Sequence, residues 1–435
     1  MSPLKTLRQS SFLKHNAVFF FGSIAVGALN YLYYPVLGRL LPPAAFGEIQ
    51  VLVSLFLQFT IFLNVLTLIT VNIAVNYKDS EKAHRMIFEL EKLASYFAVG
   101  ILAFSLIGGE FLRSSLKFDS MLPFVALALA MLASIPLTFR SAYARGRKKF
   151  GIASVSQLLG AGTKIVFSVM LVMLGLGVTG AIFGIVGAQL VAFLYAARWA
   201  ARLGFERPAD TNYTTLPNLK LVAPELKYAA VAFVGLLTIT LMMSIDVIAA
   251  KYYFDARTAG LYAGIATVAR IVFFLAAPIA QVLMPLVKID KSPQENRALL
   301  LRSLALTIVV CGGFVGICAV MPEFIVKILM GVDYITYAYL LAPLALAICI
   351  ISITNLICMY YLSLRRKMVM VVGIIGFAAT LSFMVMWHSS LQALVYSMLT
   401  ASILTLSATG TYVLVNLKRG RRYANENDID RYTNI

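Results

Sequence analysis

Three charged residues lie inside long apolar stretches of this 435-residue sequence, where a charge is costly. Lys164 and Arg270 fall midway along apolar segments, and Asp246 falls toward the outer end of another. An ionisable side chain at bilayer depth costs at least about 2.5–3.5 kcal/mol, so it normally faces protein or water. A lysine offers a point charge to phosphate oxygens and an arginine offers a planar fork, so the two cations predict an anion site. The alternative is that each cation bonds a carbonyl or carboxylate between packed helices.

The acids and the remaining cations near the segment ends have two interpretations each. Asp246 could bind Na⁺ or a proton as a coupling ion, or it could pair with Lys251 near the same end. Arg39, Glu48 and Lys251 form a candidate outer gate, and the alternative for Arg39 and Glu48 is an interfacial pair around the first outer turn. Arg140 lies at the inner end of its segment, where we expect it to snorkel toward lipid phosphate.

The glycine and cysteine motifs carry no cofactor chemistry. Gly175-x-Gly177-x-x-Gly180 has the form of a dinucleotide fingerprint, but no strand precedes it, and it predicts a helical hairpin instead. Gly180-x-x-x-Gly184 and Gly312-x-x-x-Gly316 predict close helix packing. The four cysteines lie in apolar segments without metal-ligand spacing and are expected to be reduced packing residues. We predict no cofactor, no metal and no catalytic residue, apart from Na⁺ or H⁺ as a coupling ion.

The composition places these residues in a membrane. Apolar types make up 60% of the chain and charged types 13%, which excludes a soluble globular domain, a disordered chain and a disulfide scaffold. Twelve apolar segments are long enough to span a bilayer as helices. We therefore predict an all-α polytopic membrane protein with twelve transmembrane helices. The segments are 16–38, 49–75, 93–109, 121–142, 151–175, 178–200, 228–250, 258–287, 299–321, 335–362, 368–387 and 391–416.

The basic residues predict the orientation of these spans. The chain has 37 Lys and Arg against 19 Asp and Glu, a net charge of +18, which in a soluble chain would suggest nucleic acid. Here 29 basic residues fall in the loops on the side of the amino terminus and 6 on the other side. Because cytoplasmic loops carry the excess of Lys and Arg, we expect a cytoplasmic-membrane protein with both termini inside and no nucleic-acid partner.

The two halves of the chain resemble each other. The stretch 38–47 after the first span matches 250–260 after the seventh, and 143–149 after the fourth matches 361–367 after the tenth. Six spans per half predict lobes at 1–202 and 226–417, joined by a cytoplasmic linker at 203–225 and followed by a polar tail at 418–435. Parallel repeats of this kind suggest a midplane cavity and alternating access by rocking of the lobes.

At several of these positions the chain resembles the multidrug/oligosaccharidyl-lipid/polysaccharide (MOP) exporter superfamily, in its branch of lipid-linked oligosaccharide flippases. The resemblance lies in Gly38-Arg-Leu-Leu-Pro-Pro-Ala-Ala-Phe-Gly47, Arg147-Lys-Lys-Phe-Gly-Ile-Ala-Ser-Val-Ser-Gln157, Gly175-Leu-Gly-Val-Thr-Gly180, and Asp246 through Gly260-Leu-Tyr-Ala-Gly264 to Arg270. It implies a two-lobed, MATE-like fold of twelve to fourteen spans and outward transport of an undecaprenyl-diphosphate-linked glycan.

Related lipid II flippases place a cavity arginine on the eighth span, where Arg270 lies, whereas Lys164 is outside that pattern. They also place an aspartate on the seventh span in a Na⁺ site, with polar partners on the eleventh span. Asp246 is similar in placement, but the eleventh span here offers only Thr380 and Ser382.

The function that follows is a flippase for a lipid-linked oligosaccharide, which is not an enzyme. Its partners would be membrane lipids, the lipid-linked glycan and the enzymes that assemble that glycan. An O-antigen, a capsule and an exopolysaccharide fit equally well. One alternative is an ion-coupled multidrug exporter of the same fold. A membrane glycan polymerase or ligase is less favoured, because the longest external loop has about a dozen residues and such an enzyme would need a large one.

Overall fold

The computed structural model of the chain is mainly helical in the part that it describes. It describes residues 25–77, 80–206, 216–218, 222–287, 292–364 and 366–423. The start of the predicted first span, about half of the 203–225 linker and the end of the tail lie outside these ranges. No strand occurs within them. The predicted all-α architecture is therefore confirmed for the described residues.

Sixteen α-helices follow one another along these ranges, with one π-helical turn and one 3₁₀ helix between them. In the N-terminal half they are α1 (25–40), α2 (Pro43–Asn76), α3 (Ser80–Ile107), α4 (Gly109–Ser115), α5 (Leu122–Gly146), α6 (Phe150–Leu171), the π turn (Val172–Leu176) and α7 (Gly177–Arg202). In the C-terminal half they are α8 (Ala223–Met242), α9 (Ile245–Tyr253), α10 (Ala256–Ala269), α11 (Ile271–Leu286), α12 (Pro293–Val320), α13 (Pro322–Leu329), the 3₁₀ helix (Val332–Leu340), α14 (Leu341–Ser363), α15 (Met368–Met386) and α16 (Leu391–Tyr423).

Many of these helices are long enough to cross a bilayer. Within the described ranges nine are sufficiently long and apolar, or ten when the bent pair Ala229–Met242 and Ile245–Tyr253 is counted as one span. One of the nine, Phe150–Arg202, contains both α6 and α7. These features show a multi-span membrane protein, whereas the count of twelve stays a prediction.

The helices α6 and α7 form the hairpin that the glycine motif predicted. The chain reverses at the π turn, where Gly175 has φ 86° and Gly177 has φ 48°. Residues with side chains rarely adopt such positive φ values, so glycine is needed at this reversal. Beyond it, a Cβ on Gly184 would lie 2.5 Å from the Ser168 backbone nitrogen. Close packing at Gly180-x-x-x-Gly184 is thus confirmed.

The second small-residue motif does not pack against another helix. Apart from the chain neighbours and the nearby backbone of α12 itself, no atom lies within 4 Å of the position that a Cβ would take on Gly312 or on Gly316. Both residues lie on an exposed face of α12. The prediction of close packing at Gly312-x-x-x-Gly316 is therefore wrong, because spacing alone does not show which face of a helix meets a neighbour.

The helices gather into two compact units. The first contains Met1–Phe233, Val247–Val268 and Glu323–Tyr339, and α5 lies at its core against α2, α3 and α7. The second contains Val234–Asp246, Ala269–Pro322 and Leu340–Ile435, and α14 lies at its core against α11, α12 and α16. Segments from the C-terminal half of the chain therefore belong to the first unit, while the lobe boundaries expected from span order stay a prediction.

Candidate functional site

Two of the predicted site residues, Arg270 and Asp246, form one ion pair in the second unit. The Arg270 Nη2 lies 2.8 Å from the Asp246 Oδ1, and the Arg270 Nε donates a hydrogen bond to the Met243 carbonyl at 3.1 Å. The Asp246 side chain is fully buried, while 16% of the Arg270 side chain is exposed. The predicted anion site and the predicted coupling-ion site thus share one location.

Interruptions in two helices bring this pair together. The bent pair α8 and α9 is broken at 243–244, and Arg270 stands between α10 and α11. A helix end leaves backbone carbonyls without intrahelical partners, and Arg270 bonds one of them, the Met243 carbonyl. Asp246 lies in the first turn of α9, where the helix dipole favours a negative charge. The sequence predicted continuous apolar spans here, because the break carries no proline or glycine.

The alternative partner expected for Asp246 was wrong. Lys251 pairs with Glu48 instead, with its Nζ 3.3 Å from the Glu48 Oε1. Both side chains are buried, with 1% of Lys251 and 8% of Glu48 exposed. The Lys251 ammonium also lies 5.2 Å from the centroid of the Phe118 ring, at a distance typical of a cation–π contact. Two predicted gate residues are therefore in direct contact in the first unit.

The third gate residue, Arg39, has a different partner from the one proposed for it. Its guanidinium donates to the backbone carbonyl of Ile328 in α13. The predicted interfacial pair between Arg39 and Glu48 is therefore wrong, although both residues hold segments of the C-terminal half against the N-terminal half.

Asp255, which precedes α10, accepts a hydrogen bond from the Thr258 backbone N–H at 3.0 Å. Hydrogen bonding by Thr258 lowers the pKa of Asp255.

Two glycines let the helices of the candidate gate touch through their backbones. A Cβ on Gly47 in α2 would lie 2.8 Å from the Gly260 Cα in α10, and one on Gly260 would lie 1.8 Å from the Pro43 carbonyl oxygen. A hydrogen bond of 2.7 Å from the Gln50 Nε2 to the Thr267 Oγ1 joins the same two helices. Gly47 and Gly260 end the two matching repeat segments, which is the signal that could have predicted their contact.

Lys164 lies in α6 of the first unit and is held by neutral groups. Its Nζ donates to the Asn30 Oδ1 at 2.7 Å and lies 4.4 Å from the centroid of the Tyr33 ring. Among the described residues, no carboxylate lies within ion-pair distance of Lys164. An amide oxygen and a ring face orient the ammonium without neutralising it. Such a cation fits the anion site predicted from the sequence.

Arg140 does not snorkel to lipid, contrary to expectation. Its guanidinium pairs with the buried Glu91 and lies 5.4–5.9 Å from the centroids of three rings, those of Phe88, Phe193 and Phe205. Glu91 is an acid in α3, and its burial shows that this end of the helix packs against protein. The ion pair and the rings give Arg140 a structural role in the first unit.

The comparisons with known proteins agree with this architecture. Residues 12–289, well over half of the chain, match the family model for polysaccharide biosynthesis proteins. The chain belongs to this family. Among curated proteins, none matches the sequence significantly. The family assignment confirms the resemblance to the MOP superfamily, as do the structural neighbours.

Three solved structures show how this polysaccharide biosynthesis protein folds. The lipid II flippase MurJ in an inward closed conformation matches with a TM-score of 0.73 and 12% identity, over 91% of this chain and 87% of that one. An inward-facing MATE-family multidrug resistance transporter matches with a TM-score of 0.67 and 14% identity, over 90% of this chain and 96% of that one. A MOP superfamily transporter from Pyrococcus furiosus matches with a TM-score of 0.57 and 12% identity, over 91% of this chain and 93% of that one. At such identities the likeness shows the fold, that of MurJ and MATE transporters.

Together these findings assign the chain to the polysaccharide biosynthesis family and give it the fold of MurJ and MATE transporters. The described residues contain no group of three or more His, Cys, Asp or Glu side chains that could hold a metal ion. The described residues instead include charged side chains within the candidate membrane spans. Lys164 and Arg270 are cations of the kind that bind anions, and Asp246 is a buried carboxylate paired with Arg270.

Proposed function

We propose that this protein is a flippase that moves an oligosaccharide linked to undecaprenyl diphosphate from the inner to the outer leaflet of the cytoplasmic membrane. The observation that carries the proposal is the placement of two cations, Lys164 and Arg270, within membrane-length helices of a polysaccharide biosynthesis protein. A diphosphate presents several charged oxygens, for which an arginine fork and a lysine ammonium are suited ligands.

The energetics favour outward movement of such a cargo. The prenyl tail can stay in the lipid while only the polar head crosses. An anion leaving a cell with a negative interior gains roughly 2.3 kcal/mol per charge per 100 mV of membrane potential. Once the head has bound inside the membrane, the protein needs only to close one side before it opens the other. The enzymes that assemble the glycan on the cytoplasmic side are the expected functional partners.

The contacts around Lys251 support a gate. It lies at those ends of the helices that the loop charges predict to face outward. The Glu48–Lys251 ion pair holds α2 against α9, and the Gly47–Gly260 crossing holds α2 against α10. A carrier that works by alternating access has to separate these helices to release its cargo outside. The buried ion pair then becomes hydrated, which offsets part of the cost of breaking it.

A second candidate function is ion-coupled export of multiple drugs. The observation that favours it is the likeness to MATE-family transporters, which covers as much of this chain as the likeness to MurJ does. An exporter of organic cations would use buried acids facing its cargo. Here Asp246, an acid well inside an apolar segment, is paired with Arg270, and Lys164 adds a positive charge. The charges therefore favour an anionic cargo.

Deletion of the gene separates the two functions. Loss of a flippase should abolish one surface polysaccharide and cause its lipid-linked precursor to accumulate in the inner leaflet, while sensitivity to cationic drugs stays unchanged. Loss of a drug exporter should raise drug sensitivity and leave surface glycans and precursors at normal levels. Extraction and mass spectrometry of the lipid-linked pool, together with drug susceptibility of the same strain, give both readouts.

A further inference from the structure

We propose that Asn30 and Lys164 together form a binding site for an oxyanion in the first unit. In this site the Lys164 ammonium supplies the charge, and the Asn30 amide supplies N–H groups while leaving that charge unneutralised. The ligand is a negatively charged oxygen of the cargo, from a phosphate or from the carboxylate of an acidic sugar. The kind of cargo rests on the proposed function, whereas the choice of the two ligating residues rests on the geometry of the pair.

Lys164 differs from other cations within the helices in the kind of partner that it has. Several cations with little exposure each pair with a carboxylate, namely Lys92 with Glu89, Arg140 with Glu91, Lys251 with Glu48, and Arg270 with Asp246. The Lys164 Nζ instead donates to the Asn30 Oδ1 at 2.7 Å. Asparagine and aspartate side chains have nearly the same size and shape, so an acid would fit at this position and would pair with the ammonium. The amide therefore preserves a positive charge that a carboxylate would cancel.

The chemistry of the pair fixes the direction of the Asn30 amide. An ammonium group has only donors, so the amide atom that lies 2.7 Å from the Lys164 Nζ is the carbonyl oxygen. The amide nitrogen, with its two N–H groups, lies at the other end of the same planar group. No described residue accepts a hydrogen bond from this nitrogen, and both residues are only partly buried. An ammonium and an amide N–H therefore lie side by side and are available to one anion.

An aromatic ring holds the ammonium in place. Tyr33 lies three residues after Asn30 on α1, on the same side of that helix, and the Lys164 Nζ is 4.4 Å from the centroid of its ring. The Tyr33 hydroxyl donates to the Ala181 carbonyl in α7 at 3.3 Å, and the Ser168 hydroxyl in α6 donates to the same carbonyl at 2.8 Å. Tyr33 is buried. A buried ring with an anchored hydroxyl orients the ammonium before a ligand arrives, which lowers the entropy cost of binding.

A purely structural role for Asn30 makes the opposite prediction for one substitution. Asn30→Asp keeps the shape of the side chain and the oxygen that accepts from Lys164. If Asn30 only satisfies the ammonium, the new carboxylate strengthens the contact, since charge-assisted hydrogen bonds are stronger, and ligand binding stays unchanged. If Asn30 and Lys164 bind an anion, the carboxylate neutralises the ammonium, removes the amide N–H groups and repels the ligand. The protein then becomes more stable and binds its ligand more weakly.

The test measures affinity and stability on the same preparations. The purified full-length protein in phosphatidylcholine nanodiscs is titrated calorimetrically with two probes. Farnesyl-diphospho-N-acetylglucosamine carries a diphosphate and an uncharged sugar, whereas dodecyl glucuronide carries a carboxylate and no phosphate. The wild type should bind at least one of them, and the probe whose binding Asn30→Asp weakens by about 10- to 100-fold identifies the source of the oxyanion. The apparent melting temperature of Asn30→Asp should rise above that of the wild type.

Two further variants separate the amide from the charge. Asn30→Leu has a similar size, leaves Lys164 charged and removes the amide N–H groups, so it should weaken binding by about tenfold. The matched control is Asn72→Asp. Asn72 is exposed on α2, and its Oδ1 accepts a hydrogen bond from the Asn76 Nδ2 at 2.5 Å, so this substitution also converts an accepting amide into a carboxylate. The control should change the affinity for neither probe.

The outcomes separate this site from the proposed function. Wild-type affinity of Asn30→Leu for both probes would overturn the amide as a ligand, and binding that is lost only in Arg270→Gln would then leave the flippase intact. An equal loss in Asn72→Asp and Asn30→Asp would also overturn the site, because added negative charge alone would explain the effect. Binding of neither probe by the wild type would overturn both proposals. Asn30→Leu decides the role of the amide even if Asn30→Asp is not recovered.

Discussion

At the residue scale, the protein keeps ions in apolar helices by giving each one a specific partner. Arg270 has Asp246 and a backbone carbonyl, Lys251 has Glu48, and Lys164 has an amide oxygen and an aromatic ring. Paired ions are stable in a low-dielectric interior only while both members are present. Changing one member should therefore have a much larger effect than changing both.

Among the candidate site residues, Arg270 is the one whose substitution should affect transport most directly. Arg270→Gln should abolish surface display of the glycan at matched protein abundance, since it removes the charge and the fork. Arg270→Lys should retain part of the display, because the charge survives without the planar geometry. Quantification of surface polysaccharide in the complemented deletion strain measures both. Wild-type display by Arg270→Gln would remove this residue from the anion site, and loss of the protein itself would favour a structural role.

The Glu48–Lys251 pair gives a prediction about stability. Lys251→Met alone leaves a buried carboxylate unpaired and should cost about 3–5 kcal/mol. The double variant Glu48→Leu with Lys251→Met should recover most of this loss, since an apolar pair of similar volume is often neutral or stabilising. Apparent melting temperatures of the purified proteins in one detergent compare them. Additive losses in the double variant would show that the two residues do not stabilise each other.

At the element scale, glycines decide where helices touch. Gly260 lets α10 cross α2 at backbone distance, whereas Gly312 faces open space on α12. Both are helical glycines, so their conformational properties are alike and only their surroundings differ. They therefore form a matched pair for testing whether the crossing at the candidate gate needs the absence of a side chain.

Gly260→Ala should destabilise the protein by about 1–3 kcal/mol, the range for overpacking a tight contact. Gly312→Ala should stabilise it by about 0.4–1 kcal/mol, because alanine restricts the unfolded chain and meets no neighbour. Thermal unfolding in detergent measures both changes. If Gly260→Ala were as stable as Gly312→Ala, the close approach of α2 and α10 would not be a real constraint.

Much at this scale followed from the sequence, for identifiable reasons. Long apolar runs predicted the helices, and the glycines at 175–180 predicted the α6–α7 hairpin, because both signals are local. The charges in apolar runs correctly marked Arg270, Asp246 and Lys164 as unusual. The alternative that a cation bonds a carbonyl or a carboxylate describes Arg270. Its particular partners were not identified, because their pairing depends on the helix break at 243–244, which contains no proline or glycine. Gly47 and Gly260 were visible in the repeat, but their contact depends on tertiary packing.

At the scale of the whole molecule, the loop charges and the proposed function require one orientation. In the proposed function the anionic cargo meets its site from the cytoplasm, where the excess of Lys and Arg predicts that both termini lie. Reporter fusions after Gly175 and after Asp255 should both read as external, because each follows an odd-numbered predicted span. An internal signal at either position would contradict the twelve-span topology and would reverse the side on which the Glu48–Lys251 gate lies.

The most direct test of the flippase is reconstitution. Proteoliposomes carrying the purified protein and a fluorescent undecaprenyl-diphosphate-linked oligosaccharide are assayed by the accessibility of the label to a quencher that cannot cross the membrane. The wild type should move the labelled head between leaflets, faster under a potential that draws negative charge in the direction of transport, and Arg270→Gln should reduce the rate to that of protein-free vesicles. No movement by the wild type, or equal rates for the wild type and Arg270→Gln, would contradict the assignment.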